Sequence, residues 1–177
     1  MKWSSTSAVN VSSAELVVRA AAAADARQIA DIYNHYVEKT VITFEEQVVS
    51  TQEMATRMAA VRALELPWLV AELSGVLAGY SYASPWKSRS AYRHSVETTI
   101  YLRQGLEGRG IGKTLYSALL LLLRERGIHA VIGGAALPNA ASASLHESLG
   151  FEQVATFRQV GFKHGQWVDV AYWQRVL

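Results

Sequence analysis

The sequence predicts one α/β domain in which strands and helices alternate around a single core. Three observations lead there. Residues 96–102 (VETTIYL) are a β-branched and aromatic run that passes through a glycine-rich turn straight into a leucine-rich helix. Stretches with strand character and stretches with helical period alternate along the chain, and no repeat or internal linker interrupts them. A length of 177 residues, half of them hydrophobic, suffices for one well-cored domain and is too short for two.

Each element has its own signal. Residues 1–14 are rich in Ser, Thr, Ala and Val without a period, and are expected to form a mobile tail before a domain spanning 15–177. Glu15 to Arg19 reads as a first strand. Asp25 to Glu38 places Ile29, Ile32, Tyr33, Tyr36 and Val37 on one helical face. Ser50-Thr51-Gln52-Glu53 is a capping box, opening a second helix to about Leu64, with Pro67 as a stop. Trp68 to Leu73 and Val76 to Tyr82 are strands joined by Ser74-Gly75, a hairpin signal. After the irregular, basic Pro85 to Tyr92 comes the central strand, then a helix from about Gly110 to Arg126 capped by Gly127. Ala130 to Ala136 is a small-residue strand, and Asn139 to Leu149 a short helix ended by Gly150. Phe151 to Lys163 and Trp167 to Val176 make a final hairpin around His164-Gly165.

Composition narrows the functions. Charged residues are 18% of the chain and the net charge is +2, which leaves no basic stripe for nucleic acid. With no cysteine there is no disulfide, zinc-thiolate site or Cys nucleophile. After Lys2 and Trp3 come Ser and Thr where a secretory leader would be apolar, and no apolar run could span a bilayer. A soluble, cytoplasmic protein with no membrane partner is expected. His35, His94, His129 and His164 show no ligand spacing, so no metal is expected.

The central turn carries the chemistry. Gly108, Gly110 and Gly112 alternate, with Arg109 between the first two and Lys113 after the last. Backbone without Cβ atoms can curl around an anion, and the helix that follows aims free N–H groups at the same point. A pyrophosphate cradle is the implication; a turn that needs glycine only for its geometry is the structural alternative. Two phosphate loops are excluded. A Walker loop ending at Gly112-Lys113-Thr114 would need glycine where Glu107 stands, and the spacing is wrong for GxGxxG.

The turn resembles the [QR]xxGx[GA] signature of the GCN5-related N-acetyltransferase (GNAT) superfamily, with Glu107 where that family has Gln or Arg. Asn139 to Phe151 (NAASASLHESLGF) resembles its second signature, NxxAxxLYxxxGF, with Ser142 replacing Ala and His146 at the Tyr position. More narrowly, Tyr33-Asn34-His35-Tyr36, Pro85 to Tyr92 (PWKSRSAY), Val96 to Tyr101, Leu137-Pro138-Asn139, Leu145-His146-Glu147 and Gly161 to Trp167 are similar to phosphinothricin N-acetyltransferases and their relatives acting on methionine sulfone and sulfoximine. The resemblance implies a mixed sheet splayed between its fourth and fifth strands, acetyl-CoA as co-substrate in that gap, a small amino-acid acceptor and a homodimer. Arg109, Gly110, Gly112 and Lys113 would meet the pyrophosphate, and Asn139 and Ser142 would flank the pantetheine arm.

Acyl transfer to an amine needs a base, a donor for the developing oxyanion and a proton for the leaving thiolate. Glu97 sits among Val, Thr, Ile and Tyr, where burial would raise its pKa toward that of a working base. Its structural alternative is an ion pair with Arg89 or Arg93. His146 is either a satisfied histidine on a helix face or, at the family's Tyr position, the thiolate's proton donor. The family's oxyanion donor matches the backbone N–H of Leu102. Lys87, Arg89 and Tyr92 read as a solvated basic loop, and Phe44 as core; the resemblance makes all four acceptor-binding residues. Rival readings are acetylation of a polyamine, an aminoglycoside or a protein N-terminus, and an acyl-CoA-binding module without turnover. The basic loop argues against cationic acceptors, and Glu97 with His146 argues against the module.

Overall fold

The computed structural model describes residues 15–177, so the tail expected over residues 1–14 lies outside the described residues. The element order is β1 (Leu16–Ala20), α1 (Ala26–Lys39), α2 (Thr51–Ala63), β2 (Trp68–Leu73), β3 (Val76–Pro85), β4 (Ser95–Leu102), α3 (Ile111–Glu125), β5 (Ala130–Ala136), α4 (Ala140–Ser148), β6 (Glu152–Lys163) and β7 (Gln166–Val176). These are the strands and helices read from the sequence, in the same order. The boundaries differ by one or two residues, except that β3 runs on to Pro85.

The strands form one seven-stranded sheet in the order β1-β2-β3-β4-β5-β7-β6. All neighbours are antiparallel except β4 and β5. That parallel pair is short: Ser95 to Thr98 lie against Ala130 to Gly133. Beyond it β4 stays with β3 as far as Leu102, and β5 stays with β7 as far as Ala136. The sheet therefore splits into two arms that share a root.

From β2 to β5 both faces of the sheet are largely covered, which explains why those strands read as nearly continuous apolar runs, whereas the outer β6 is mostly exposed. On β2, Leu69 and Ala71 join the core beneath α3, while Trp68 and Val70 join the core beneath α1 and α2. The α3 core holds Leu115, Tyr116, Leu119 and Leu123 with Val96, Val131 and Trp173. Hairpin turns obey the sequence: Ser74 and Gly75, and His164 and Gly165, all take positive φ.

The capping box at α2 is half made. Ser50 Oγ accepts from the Glu53 N–H at 3.1 Å, but the Glu53 carboxylate reaches forward to Arg57 Nε at 2.9 Å. Arg57 holds both oxygens of Glu45, and Tyr33 donates to the same carboxylate at 2.9 Å. The charged Arg57 one turn on offers the Glu53 carboxylate more than the neutral Ser50 N–H does. The connection between α1 and α2 is pinned further by Asn34, whose amide bonds the Val49 N–H at 2.8 Å and the Val49 carbonyl at 2.9 Å.

Candidate active site

The split between β4 and β5 opens a cleft of ≈ 270 Å³. Residues 97–102 line one wall; Gly134 and Ala135 with Asn139, Ser142, Leu145 and His146 line the other, and Tyr36, Ile42 and Glu107 close the mouth. Backbone alternation decides what the β4 wall offers. The Arg103 N–H bonds the Ala78 carbonyl at 2.7 Å, which puts the odd-numbered residues of β4 in hydrogen-bonded register with β3. The even-numbered ones turn toward β5. Val96 and Thr98 meet it there; Ile100 and Leu102 aim their N–H groups into the gap instead. The Leu102 carbonyl, facing the same way, accepts from the Tyr36 hydroxyl at 2.7 Å. Burial pushes that phenol up to about 12, so it stays a donor.

Glu97 is half-buried on β4, and neither Arg89 nor Arg93 pairs with it among the described residues. Burial pushes its carboxyl above the ordinary 4.5, against the opposing pull of Lys87. Its Oε1 hangs over Gly134, where an added Cβ would lie 3.5 Å away. The same point is 3.0 Å from Cε1 of Tyr172, which pairs with Gly134 from β7. Burial and then the Glu97 charge push the Tyr172 phenol up.

His146 is buried, at 3% exposure. Its Nδ1 lies 2.8 Å from the Ser142 carbonyl and 3.3 Å from Ser142 Oγ; its Nε2 lies 3.3 Å from the Tyr116 hydroxyl. The ring stacks on Trp173 and meets Phe151 edge-on. A Cβ at Gly133 would fall 2.1 Å from Nε2, so the strand under the imidazole must be glycine. Burial pushes His146 below its ordinary 6.5, with the Ser142 carbonyl acting the other way.

The glycine turn behaves as its sequence implies in part. Gly108 and Gly110 take φ of +72° and +80°. A Cβ at either would meet nothing within 4 Å, so the left-handed backbone is what requires glycine there. Gly112 is different: it is a buried helical residue packed against Leu102 and Leu145. Arg109 and Lys113 are exposed beside the start of α3. Glu107 accepts from the Gly105 N–H at 2.8 Å, closing the turn on itself. Asn139 caps α4 by accepting the Ser142 N–H at 3.0 Å.

The acceptor-side residues are scattered. Lys87 stands over the Trp86 ring, 4.5 Å from its centroid, while Arg89 and Tyr92 are exposed on and beside a single 3-10 turn, Ser90–Tyr92. None of the three lines the cleft. Phe44 packs the far end of its ring against β6, where a Gly161 Cβ would be.

Sequence reasoning missed Thr98, Tyr116, Gly133, Gly134 and Tyr172. The paired glycines inside strand β5 were the available signal, since an interior strand glycine marks a close approach. Nothing local singles out Tyr116 in a leucine-rich helix.

Comparison with known proteins adds the context. A family model described as an acetyltransferase (GNAT) domain matches residues 18–172. The chain is 42% identical over 158 residues to a phosphinothricin N-acetyltransferase of Streptomyces viridochromogenes, covering 89% of this chain and 86% of that protein. It is 36% identical over 159 residues to an L-methionine sulfoximine/L-methionine sulfone acetyltransferase of Salmonella typhimurium, covering 90% and 93%. A GNAT phosphinothricin acetyltransferase from Sinorhizobium meliloti, solved in complex with acetyl-CoA, superposes with a TM-score of 0.88 at 40% identity, covering 92% of this chain and 88% of that one.

Proposed function

The chain belongs to the GNAT acetyltransferase family, and from that premise we propose that it moves an acetyl group from acetyl-CoA to the α-amine of a small amino-acid analogue of the phosphinothricin, methionine sulfone or methionine sulfoximine type. The observation that carries this reading is the split sheet. One gap holds a partly buried carboxylate, Glu97, without an ion-pair partner among the described residues, and two inward N–H groups, those of Ile100 and Leu102.

In this reading acetyl-CoA supplies the thioester. The glycine turn and the first free N–H groups of α3 form the anion cradle, with Arg109, Gly110, Gly112 and Lys113 around it. Asn139 and Ser142 flank the pantetheine arm. Glu97, directly or through a water, takes the proton that the acceptor amine loses as its nitrogen attacks the carbonyl carbon. The Leu102 N–H steadies the carbonyl oxygen while it carries negative charge. The C–N bond forms, the C–S bond breaks, and the leaving sulfur takes a proton from His146. Phe44, Lys87, Arg89 and Tyr92 hold the acceptor, the cations gripping its acidic groups.

We also propose a cytoplasmic homodimer. The outer strand β6 leaves Val154, Phe157, Val160 and Phe162 exposed, with Trp167 opposite on β7, and a second copy would bury them. Light scattering of the purified protein reads the assembly directly. A thiol-release assay with acetyl-CoA against amino-acid analogues, polyamines and aminoglycosides tests the activity. Turnover of a polyamine with none of the three analogues would overturn the acceptor assignment and leave the family standing.

A further inference from the structure

Beneath the cleft, a row of polar atoms crosses four elements, α4, α3, β4 and β5. The Ser142 carbonyl meets His146 Nδ1 at 2.8 Å, His146 Nε2 meets the Tyr116 hydroxyl at 3.3 Å, that hydroxyl meets Thr98 Oγ1 at 2.5 Å, and Thr98 reaches the Ile132 carbonyl at 3.1 Å. Thr98 and Tyr116 are buried with the histidine, and both Thr98 and His146 line the cleft. We propose that Tyr116, with Thr98 behind it, is a positioning residue for His146, allowing a buried imidazole to hold or release a proton without stranding a polar atom. This rests on the acetyl-transfer reading above only for its catalytic consequence.

Counting hydrogens carries the argument. A carbonyl only accepts, so Nδ1 of His146 bears hydrogen in both of its charge states. In the neutral ring, Nε2 is a lone pair and takes the Tyr116 O–H, and the phenol oxygen in turn takes the Thr98 O–H. In the imidazolium, Nε2–H donates to the phenol oxygen, the phenol donates to Thr98, and Thr98 donates to the Ile132 carbonyl. One added proton reverses the middle of the row and fills its last link. A phenol whose own ionisation is pushed up by burial is suited to this, since it stays neutral and can donate or accept. Trp173, Phe151 and Gly133 also pack on the imidazole and Ser142 Oγ lies 3.3 Å from Nδ1, so among the described residues Tyr116 is the titratable side chain hydrogen-bonded to the ring.

Tyr116→Phe keeps the ring and removes the pivot. The neutral imidazole then has an unpaired lone pair, and the imidazolium a buried unpaired N–H, which is the costlier loss. The His146 titration, followed by NMR of histidine-labelled protein and assigned by its absence in His146→Gln, should move to lower pH. Turnover should fall about tenfold to a hundredfold, with the limb of the kcat–pH profile moving alongside and the KM for acetyl-CoA unchanged. Thr98→Val should shift the titration in the same direction by less, and Thr98→Ser should restore it. These NMR shifts do not need turnover, so they test the row even if no acceptor is ever acetylated. An unmoved His146 titration in folded Tyr116→Phe, or equal shifts in Thr98→Val and Thr98→Ser, would overturn the proposal.

Discussion

The floor and the rim of the cleft are built by different means. On the floor, Glu97, His146, Tyr116 and Thr98 are fixed by packing: His146 lies between Trp173 and a strand glycine that leaves no room for a methyl group. On the rim, the glycine turn and the loop from Pro85 to Tyr92 are exposed, and their form comes from backbone conformation and local hydrogen bonds. In the proposed reaction the floor would handle protons, whose transfer fails over small displacements. The rim would handle phosphates and acid groups, whose attraction tolerates them. Substitutions should therefore act through chemistry and space on the floor, and through charge and backbone strain on the rim.

The largest expected effect tests the chemistry of the floor. Glu97→Gln keeps the shape and removes the proposed base, so kcat should fall by roughly 10²–10⁴ while acetyl-CoA affinity, measured by calorimetry, is preserved. Unchanged turnover across the pH range would remove Glu97 from the mechanism.

Two glycine-to-alanine changes set space against strain. Gly133→Ala places a Cβ 2.1 Å from His146 Nε2, so the imidazole must leave its stack; urea unfolding should show a loss of about 1–3 kcal/mol, as overpacked cores do. Gly110→Ala meets open space but must hold a φ of +80°, at a cost of about 1 kcal/mol. Only the first should also lower kcat. Equal kinetic damage from both would erase the distinction between floor and rim.

The two regions also differed in how far they could be read from sequence. The rim was legible because its information is local: alternate glycines before a helix, or Lys, Arg and Tyr within six residues, are visible along the chain. So was the fold, since strand and helix periods and the turn residues at 74–75 and 164–165 are local as well. The floor was half legible. Glu97 stood out as a carboxylate in an apolar strand, and His146 by its place in a family signature. Their partners did not. Tyr116 meets His146 across 30 residues and Thr98 across 18, pairings that only the sheet and its packed helices bring about. The half-made capping box at Ser50 differs, because the partner that draws Glu53 away, Arg57, lies only one helical turn further on.

A smaller effect probes the rim. If Arg89 grips the tetrahedral head of the acceptor, Arg89→Ala should raise KM for the anionic phosphinate about tenfold, more than for the uncharged sulfone or sulfoximine. If it grips the shared α-carboxylate, all three should suffer alike. Salt should weaken the effect, as expected for an exposed guanidinium.

The smallest effect returns to the floor and depends on sign. Burial pushes His146 below 6.5. As pH falls from 6.5 toward the lowered folded value, the unfolded chain binds a proton that the folded one does not, and stability drops. Burial pushes Glu97 above 4.5, which acts the other way. As pH rises from 4.5 through the raised folded value, the unfolded chain loses a proton that the folded one keeps, and stability again drops. Each group can tilt the curve by at most about 1.4 kcal/mol per pH unit. The urea midpoint measured from pH 4.5 to 7 should therefore respond oppositely to the two substitutions. His146→Gln removes the acid-side loss and flattens the curve, whereas Glu97→Gln removes the opposing slope and steepens it. Absolute stability can fall in both variants without affecting the test, because the slope is what is read. If both substitutions tilted the curve the same way, one of the two side chains would not be held on the floor by burial, and the contrast with the rim would fail at that residue.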